Sequence, residues 1–71
     1  MGVSDIGAQQ AREHHRAAEA ALALAERHRQ QRNALVRRLR ESDPRRWSYR
    51  ALATAVGCSP ELIAAIVKER V

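Results

Sequence analysis

The chain has few of the features that stabilise small secreted proteins or anchor a protein in a membrane. It contains one cysteine among 71 residues, which excludes an intramolecular disulfide and therefore a secreted fold held by several bridges. No apolar run approaches the ~20 residues that cross a bilayer as one helix. Residues 1–10 show no charged segment followed by an apolar one, so no secretion signal is expected. These absences predict a cytoplasmic protein that has no membrane partner.

Aromatic residues, glycine and proline are scarce as well. Trp47 and Tyr49 are the aromatic residues, and there are three glycines and two prolines. Alanine, leucine, arginine and glutamate dominate instead, and these residue types favour helices. A chain of 71 residues forms one small domain at most and leaves too little material for an enzyme pocket of ordinary size. We therefore expect an all-α binding protein that is not an enzyme and uses no cofactor.

The charge is distributed unevenly along the chain. Thirteen basic residues, twelve of them arginine, and eight acidic residues leave a formal net charge of +5. Residues 1–26 carry two arginines and four acids, whereas residues 27–50 carry nine arginines and two acids. An anionic partner is therefore expected to bind the middle of the chain. The alternative is that these arginines only keep an exposed helix soluble.

The first half of the chain is typical of one long helix, or of two collinear ones. Ser4 and Asp5 are good N-terminal caps, and nearly every residue from 8 to 40 is a strong helix former. About 35 residues at ~1.5 Å each would form a rod of roughly 50 Å. The helix is expected to end near Arg40–Ser42, because Pro44 disfavours helical geometry at the residue before it.

Apolar residues form two clusters in this helix, residues 17–25 and 34–39. The segment 26–33 between them contains no apolar residue, which predicts that the two clusters contact different partners. A stripe through the first cluster follows a seven-residue repeat. Its members are Ala17, Ala21, Leu24, His28, Gln31 and Leu35.

The small residues of this stripe would let two helix backbones approach each other closely. An isolated helix is only marginally stable in water even when it is rich in alanine, so we expect a homodimer. An unpaired helix held by its own propensity is the alternative, and the pattern leaves a parallel or an antiparallel orientation open. The residues expected at the dimer contact are Ala17, Ala21, Leu24, Ala25 and His28.

Two short helices are predicted in the last third of the chain. Ser48 is placed to cap the first of them, and Gly57 is placed to end it. Ser59 and Pro60 then form a helix start, and this last helix is expected to run to about Arg70. The three-residue connection between the two helices predicts a sharp corner rather than an antiparallel hairpin.

The same residues resemble a known family. The stretch YRALATAVGCSPELIAAIVK, residues 49–68, resembles the helix-turn-helix of bacterial transcription regulators. The segment WSYRALA, residues 47–53, is similar to the approach to that motif in sigma-factor DNA-binding domains and their small relatives. In this motif Ala53 would be small because the last helix crosses over it, and Gly57 would take the turn conformation.

The resemblance also implies a hydrophobic core. Its buried positions would be Leu52, Val56, Cys58, Ile63 and Ile66, and a three-helix core would be completed by Leu35, Val36, Leu39 and Trp47.

Binding of double-stranded DNA is the function that the resemblance implies, with residues 59–70 as the helix in the major groove. The residues that it places at base edges and the nearest backbone are Ser59, Pro60, Glu61, Ala64, Ala65 and Lys68. These residue types supply few hydrogen-bond donors, which predicts low sequence specificity. The arginines that flank the motif, where family members commonly meet phosphates, are Arg37, Arg38, Arg40, Arg45, Arg46 and Arg50. Tyr49 would either contact a phosphate or pack against Trp47 or Leu39.

No metal site is expected from the histidines and the cysteine. His14 and His15 are adjacent, so on a helix their side chains point about 100° apart and cannot chelate one ion. His28 lies far along the chain, and Cys58 is expected in the core.

These patterns together predict an all-α protein with two parts: a long dimerising helix in residues 1–33 and a compact three-helix domain with the helix-turn-helix in residues 34–71. The expected function is that of a small transcriptional regulator or nucleoid-associated protein that binds double-stranded DNA in the nucleoid. The alternative is a protein-interaction module that docks RNA polymerase or another regulator. Its docking face on the last helix would consist of Leu62, Ala65 and Val67.

Overall fold

The computed structural model describes residues 5–70, which form three helices. They are α1 (Asp5–Ser42), α2 (Tyr49–Val56) and α3 (Pro60–Val67), and no strand occurs among the described residues, so the all-α prediction is confirmed. The molecule is a rod of 66 × 18 × 17 Å, because α1 extends far beyond the two short helices that pack at its C-terminal end. The predicted cap Ser4 lies outside the described residues.

The long N-terminal helix is a single continuous element of 38 residues, not two collinear ones. It ends at Ser42, as the position of Pro44 predicted. A tight turn follows, in which the Trp47 amide donates to the Asp43 carbonyl at 2.8 Å and the Arg46 amide donates to the Asp43 carboxylate at 3.2 Å. This turn leads the chain back toward α1 and into α2.

The boundaries of α2 are those that the sequence predicts. The Ser48 hydroxyl accepts the Ala51 amide at 3.1 Å, which satisfies one of the unpaired donors at the helix start. Gly57 ends the helix in the left-handed conformation, with φ of 89°. The amides of Gly57 and Cys58 both donate to the Ala53 carbonyl, at 2.8 and 3.0 Å.

The start of α3 also matches the prediction. The Ser59 hydroxyl accepts the Leu62 amide at 3.1 Å, and Pro60 is the first helical residue. The direction of the chain changes by 111° between α2 and α3. The sharp corner expected from the short connection is therefore confirmed.

The predicted end of α3 near Arg70 is wrong, because the helix ends at Val67. Glu69 adopts a left-handed conformation with φ of 58°, and its amide donates to the Ile66 carbonyl at 3.0 Å. The Arg70 amide reaches back to the Ala65 carbonyl at 2.7 Å. This hydrogen-bond pattern is a Schellman ending, which usually has glycine at the left-handed position.

A small apolar core joins the three helices. Its buried residues are Val36, Leu52, Ala53, Ile63 and Ile66, and the partly buried residues packed around it are Trp47, Tyr49, Cys58, Leu62 and Val67. We call this unit, residues 33–70, the head. Because α1 packs mainly on α3, the last turns of α1 belong to the head, whereas its earlier turns extend away from it.

Five residues predicted in the core are not buried there, and one of them, Trp47, is half-buried against its edge. Leu35 is 53% exposed because it lies about 100° around α1 from Val36, which is buried in the head. Leu39 is 36% exposed. Val56, the last residue of α2, is 39% exposed. Cys58 is half-buried at the rim of the core rather than inside it.

A polar residue takes part in the contact between α1 and the head. Asn33 is 7% exposed, although it belongs to the segment that contains no apolar residue, and its side-chain oxygen accepts from Arg32 Nε at 3.0 Å. Asn33, Val36, Arg37 and Arg40 share one face of α1, at the spacing of neighbouring helical turns. This face sets the direction in which the head is attached.

Candidate nucleic-acid interface

Three arginines around α2 have no charged partner in the described part of the chain. Arg38 lies near the end of α1, Arg45 lies in the turn before α2, and Arg50 lies in the first turn of α2. All three are exposed. Within residues 5–70 the ion pair that is present joins Arg29 to Glu26 at 3.2 Å, far along α1 from these side chains. Their guanidinium groups are therefore available to an external anion.

Arg46 is also exposed, but an aromatic ring orients it. Its guanidinium carbon lies 5.0 Å from the centre of the Trp47 ring. A cation over an aromatic face is attracted by the ring quadrupole and keeps its N–H groups directed outward at its edge. Stacking on Trp47 thus restricts Arg46 while leaving its donors accessible.

Arg37 and Arg40 differ from the other four because both are half-buried and bind main-chain carbonyls of the head. Arg37 Nε donates to the Ile66 carbonyl at 2.8 Å, near the C-terminal end of α3 where a positive charge is favourable. Arg40 donates to the carbonyls of Pro44 and Trp47 at 3.1 and 3.0 Å. Their role in holding the head together was not visible in the sequence, and it leaves them fewer donors for phosphate.

The Tyr49 ring packs against the head and does not face solvent freely. It is half-buried against the core, and the Arg40 guanidinium lies 4.9 Å from its centre. Trp47 packs against the same core from the preceding turn. The two aromatic residues therefore fix the turn before α2 and orient arginines on either side of it.

The predicted base-reading residues of α3 lie largely on one face of that helix. Glu61, Ala64, Ala65 and Lys68 follow the spacing of one helical stripe, on the side opposite Ile63 and Ile66. The exposed members of the predicted set are Ser59, Pro60, Glu61 and Lys68, and the half-buried members are Ala64 and Ala65. This face carries one cation and one carboxylate, so its capacity for hydrogen bonding is small.

The apolar residues offered as a protein-docking face are mostly used inside the head. Leu62 and Val67 are half-buried and pack against the core, and Ala65 is half-buried. The residues predicted at a dimer contact are placed differently. They lie in the extended part of α1, where Ala17, Ala21, Leu24 and His28 are exposed and Ala25 is half-buried.

The described residues contain no group of three or more His, Cys, Asp or Glu side chains that could hold a metal ion. His14 and His15 are both exposed on α1. Between residues 5 and 70 no single helix is long and apolar enough to cross a membrane, and the bent pair α2 and α3 passes that test only by length and composition.

No protein-family model, curated protein or solved structure matches the chain. The likeness of residues 47–68 to helix-turn-helix regulators therefore stays a prediction.

Proposed function

We propose that this protein binds double-stranded DNA through α2 and α3, which act as a helix-turn-helix, with α3 directed at the major groove. The observation that carries the proposal is a sharply bent helix pair bordered by exposed arginines without acidic partners. The bend of 111° lies within the ~90–120° of helix-turn-helix pairs. The left-handed Gly57 and the buried Ala53 agree with the roles that these positions have in the motif.

Phosphate contacts provide most of the binding in this proposal. The exposed arginines lie on both sides of the motif, at Arg38 on α1 and at Arg45, Arg46 and Arg50 before and within α2. Arginine donors are well suited to phosphate, and release of condensed counterions from the duplex makes such binding favourable at low salt. Arg37 and Arg40 support these contacts by holding α1, the turn and α3 together.

Sequence specificity is low in this proposal. Glu61 can accept from a cytosine amino group and the two alanines of the α3 face can contact thymine methyl groups, but Lys68 is the only side-chain donor on that face. Most of the affinity would then be independent of sequence. A nucleoid-associated protein, or a small regulator with modest selectivity, fits this balance of contacts.

Paired charge-neutralising variants test the proposal. Arg45→Gln with Arg50→Gln removes two exposed arginines beside the motif, and Arg12→Gln with Arg16→Gln removes two exposed arginines far along α1. Both variants lower the net charge equally. A difference in their affinity for DNA would therefore arise from the position of the arginines and not from overall charge. Fluorescence anisotropy with duplexes of random sequence should show a loss of roughly 10- to 30-fold for the first variant and less than about twofold for the second.

Three results would contradict the proposal. Equal losses for the two variants would show that only net charge matters. A loss confined to one sequence would show that these arginines read bases. Failure of the unmodified protein to bind any duplex at low salt would favour a protein partner.

A further inference from the structure

Most of α1 does not pack against any other part of the described chain. Every residue from 5 to 31 is exposed except Ala25, which is half-buried. We call this segment the arm, and at ~1.5 Å per residue it is about 40 Å long. An isolated helix of this kind is marginal in water even when it is rich in alanine, because its nucleation is costly and tertiary packing supplies most of the stability of helices. The arm therefore needs a partner to account for its order.

One face of α1 is apolar and uncovered. It contains large side chains as well as small ones, since Leu24 is 50% exposed and Leu35 is 53% exposed. Ala17, Ala21, His28 and Gln31 lie on the same face, so two polar side chains interrupt the stripe between residues 17 and 35, but it carries no carboxylate or guanidinium group. This stripe lies about 150° around the helix from the face that binds the head, so a partner can reach it without displacing the head.

The charge along α1 changes sign near the middle of the helix. Residues 5–26 contain two arginines and four acids, and residues 27–42 contain six arginines and one acid. Two copies in parallel would place the basic halves side by side and the acidic halves side by side. In antiparallel orientation about an axis near residue 22, each basic half lies along residues 5–18 of the other copy, whose two acids and two arginines cancel. Repulsion between like charges within a Debye length is therefore lower than in the parallel pair.

We infer that α1 pairs with α1 of a second copy, in antiparallel orientation, through the stripe of Ala17, Ala21, Leu24, His28 and Leu35. A two-fold axis that passes between residues 22 and 23 places Ala21 opposite the partner's Leu24 and Ala17 opposite the partner's His28. At these two levels on either side of the axis a small side chain faces a large one, which lets the helices approach closely there. In this register Gln10 faces the partner's Leu35.

This arrangement places the two heads at separate points of one rod. With the axis near residue 22, the two Val36 positions are about 40 Å apart along α1. That exceeds the ~34 Å between half-sites one duplex turn apart, so the heads are spaced to grip separate stretches of phosphate backbone. The pairing itself does not depend on DNA binding and is tested without DNA.

Cysteine cross-linking measures the orientation directly. In full-length protein carrying Cys58→Ala, one batch receives Gln10→Cys and the other receives Leu35→Cys, and the two are mixed and oxidised gently. Cross-linking needs Cα atoms within about 7 Å. The antiparallel pair brings each new cysteine beside the other kind, so the mixed disulfide should predominate and each variant alone should remain largely uncross-linked. Predominant disulfides between identical variants would show a parallel pair and overturn the inference.

Sedimentation velocity tests the pairing without cysteines. Leu24→Glu places a charge in the stripe, whereas Leu22→Glu places the same charge on another face, at a leucine that is 62% exposed. The first variant should dissociate at least tenfold more readily than the second. A fully helical monomer at high micromolar concentration, or equal behaviour of the two variants, would each overturn the inference.

Discussion

The arm and the head are stabilised in different ways, although one helix runs through both. In the head, five buried apolar residues, two hydroxyl caps and three hydrogen bonds from arginines to main-chain carbonyls are concentrated within a few helical turns. In the arm, nearly every side chain faces solvent. Local helix propensity favours helices in both regions. The comparison shows that packing, and not propensity, distinguishes the two regions.

The largest expected contrast comes from removing a leucine from each region. Leu52 is fully buried, so Leu52→Ala should destabilise the head by about 2–5 kcal/mol, which is enough to unfold much of it. Leu22 is exposed, and Leu22→Ala should change stability by less than about 0.5 kcal/mol. Urea unfolding followed by the fluorescence of Trp47, the only tryptophan, reports on the head. Equal losses in the two variants would remove the distinction between the regions.

Replacing a glycine by alanine should lower stability in the head and raise it in the arm. A Cβ at Gly57 or at Gly7 would meet no atom within 4 Å, so crowding affects neither site. Gly57 has φ of 89°, and Gly57→Ala should cost about 1–2 kcal/mol of head stability. Gly7 lies in the helical arm, and Gly7→Ala should raise helix stability by about 0.5–1 kcal/mol.

Thermal melting by circular dichroism, with Trp47 fluorescence as the head signal, checks both glycine variants. A Gly57→Ala protein that melts like the unmodified chain would show that the corner after α2 does not require the left-handed conformation.

The smallest contrast concerns two neighbouring arginines. Arg37→Ala removes the contact with the Ile66 carbonyl and should destabilise the head by about 1 kcal/mol, with little effect on the salt dependence of DNA binding. Arg38 is exposed, so Arg38→Ala should leave stability unchanged and weaken duplex binding. Urea titration and anisotropy on the same samples separate the two effects, and the reverse pattern would show that the arginines have been assigned wrongly.

The helix boundaries of the head could be predicted because their causes are local. Ser48, Gly57, Ser59 and Pro60 act on the backbone within four residues of themselves, and each has the predicted role. The end of α3 could not be predicted in this way. Glu69 adopts a conformation that glycine usually takes, and nothing in its residue type signals it.

Predictions about the core and the candidate site were less complete because they depend on contacts between distant residues. The cluster 34–39 spans more than one face of α1, and only the contact with α3 selects Val36 over Leu35 and Leu39. The arginines of this region look alike in the sequence. Arg37 and Arg40 differ from the exposed arginines because they donate to the carbonyls of Ile66 and Trp47. Every residue has a main-chain carbonyl, so the residue types do not indicate which carbonyls accept these hydrogen bonds.

Binding of the DNA backbone by the head can be measured through the salt dependence of its affinity for a duplex. On a duplex too short for two heads, four exposed arginines that neutralise phosphates predict that log affinity falls with log salt at a slope of about −4, against about −5 if Arg37 and Arg40 also contributed fully. Arg45→Gln with Arg50→Gln should reduce that slope by about 2. A slope near zero, or no binding at the lowest salt, would contradict the claim that the head grips the DNA backbone.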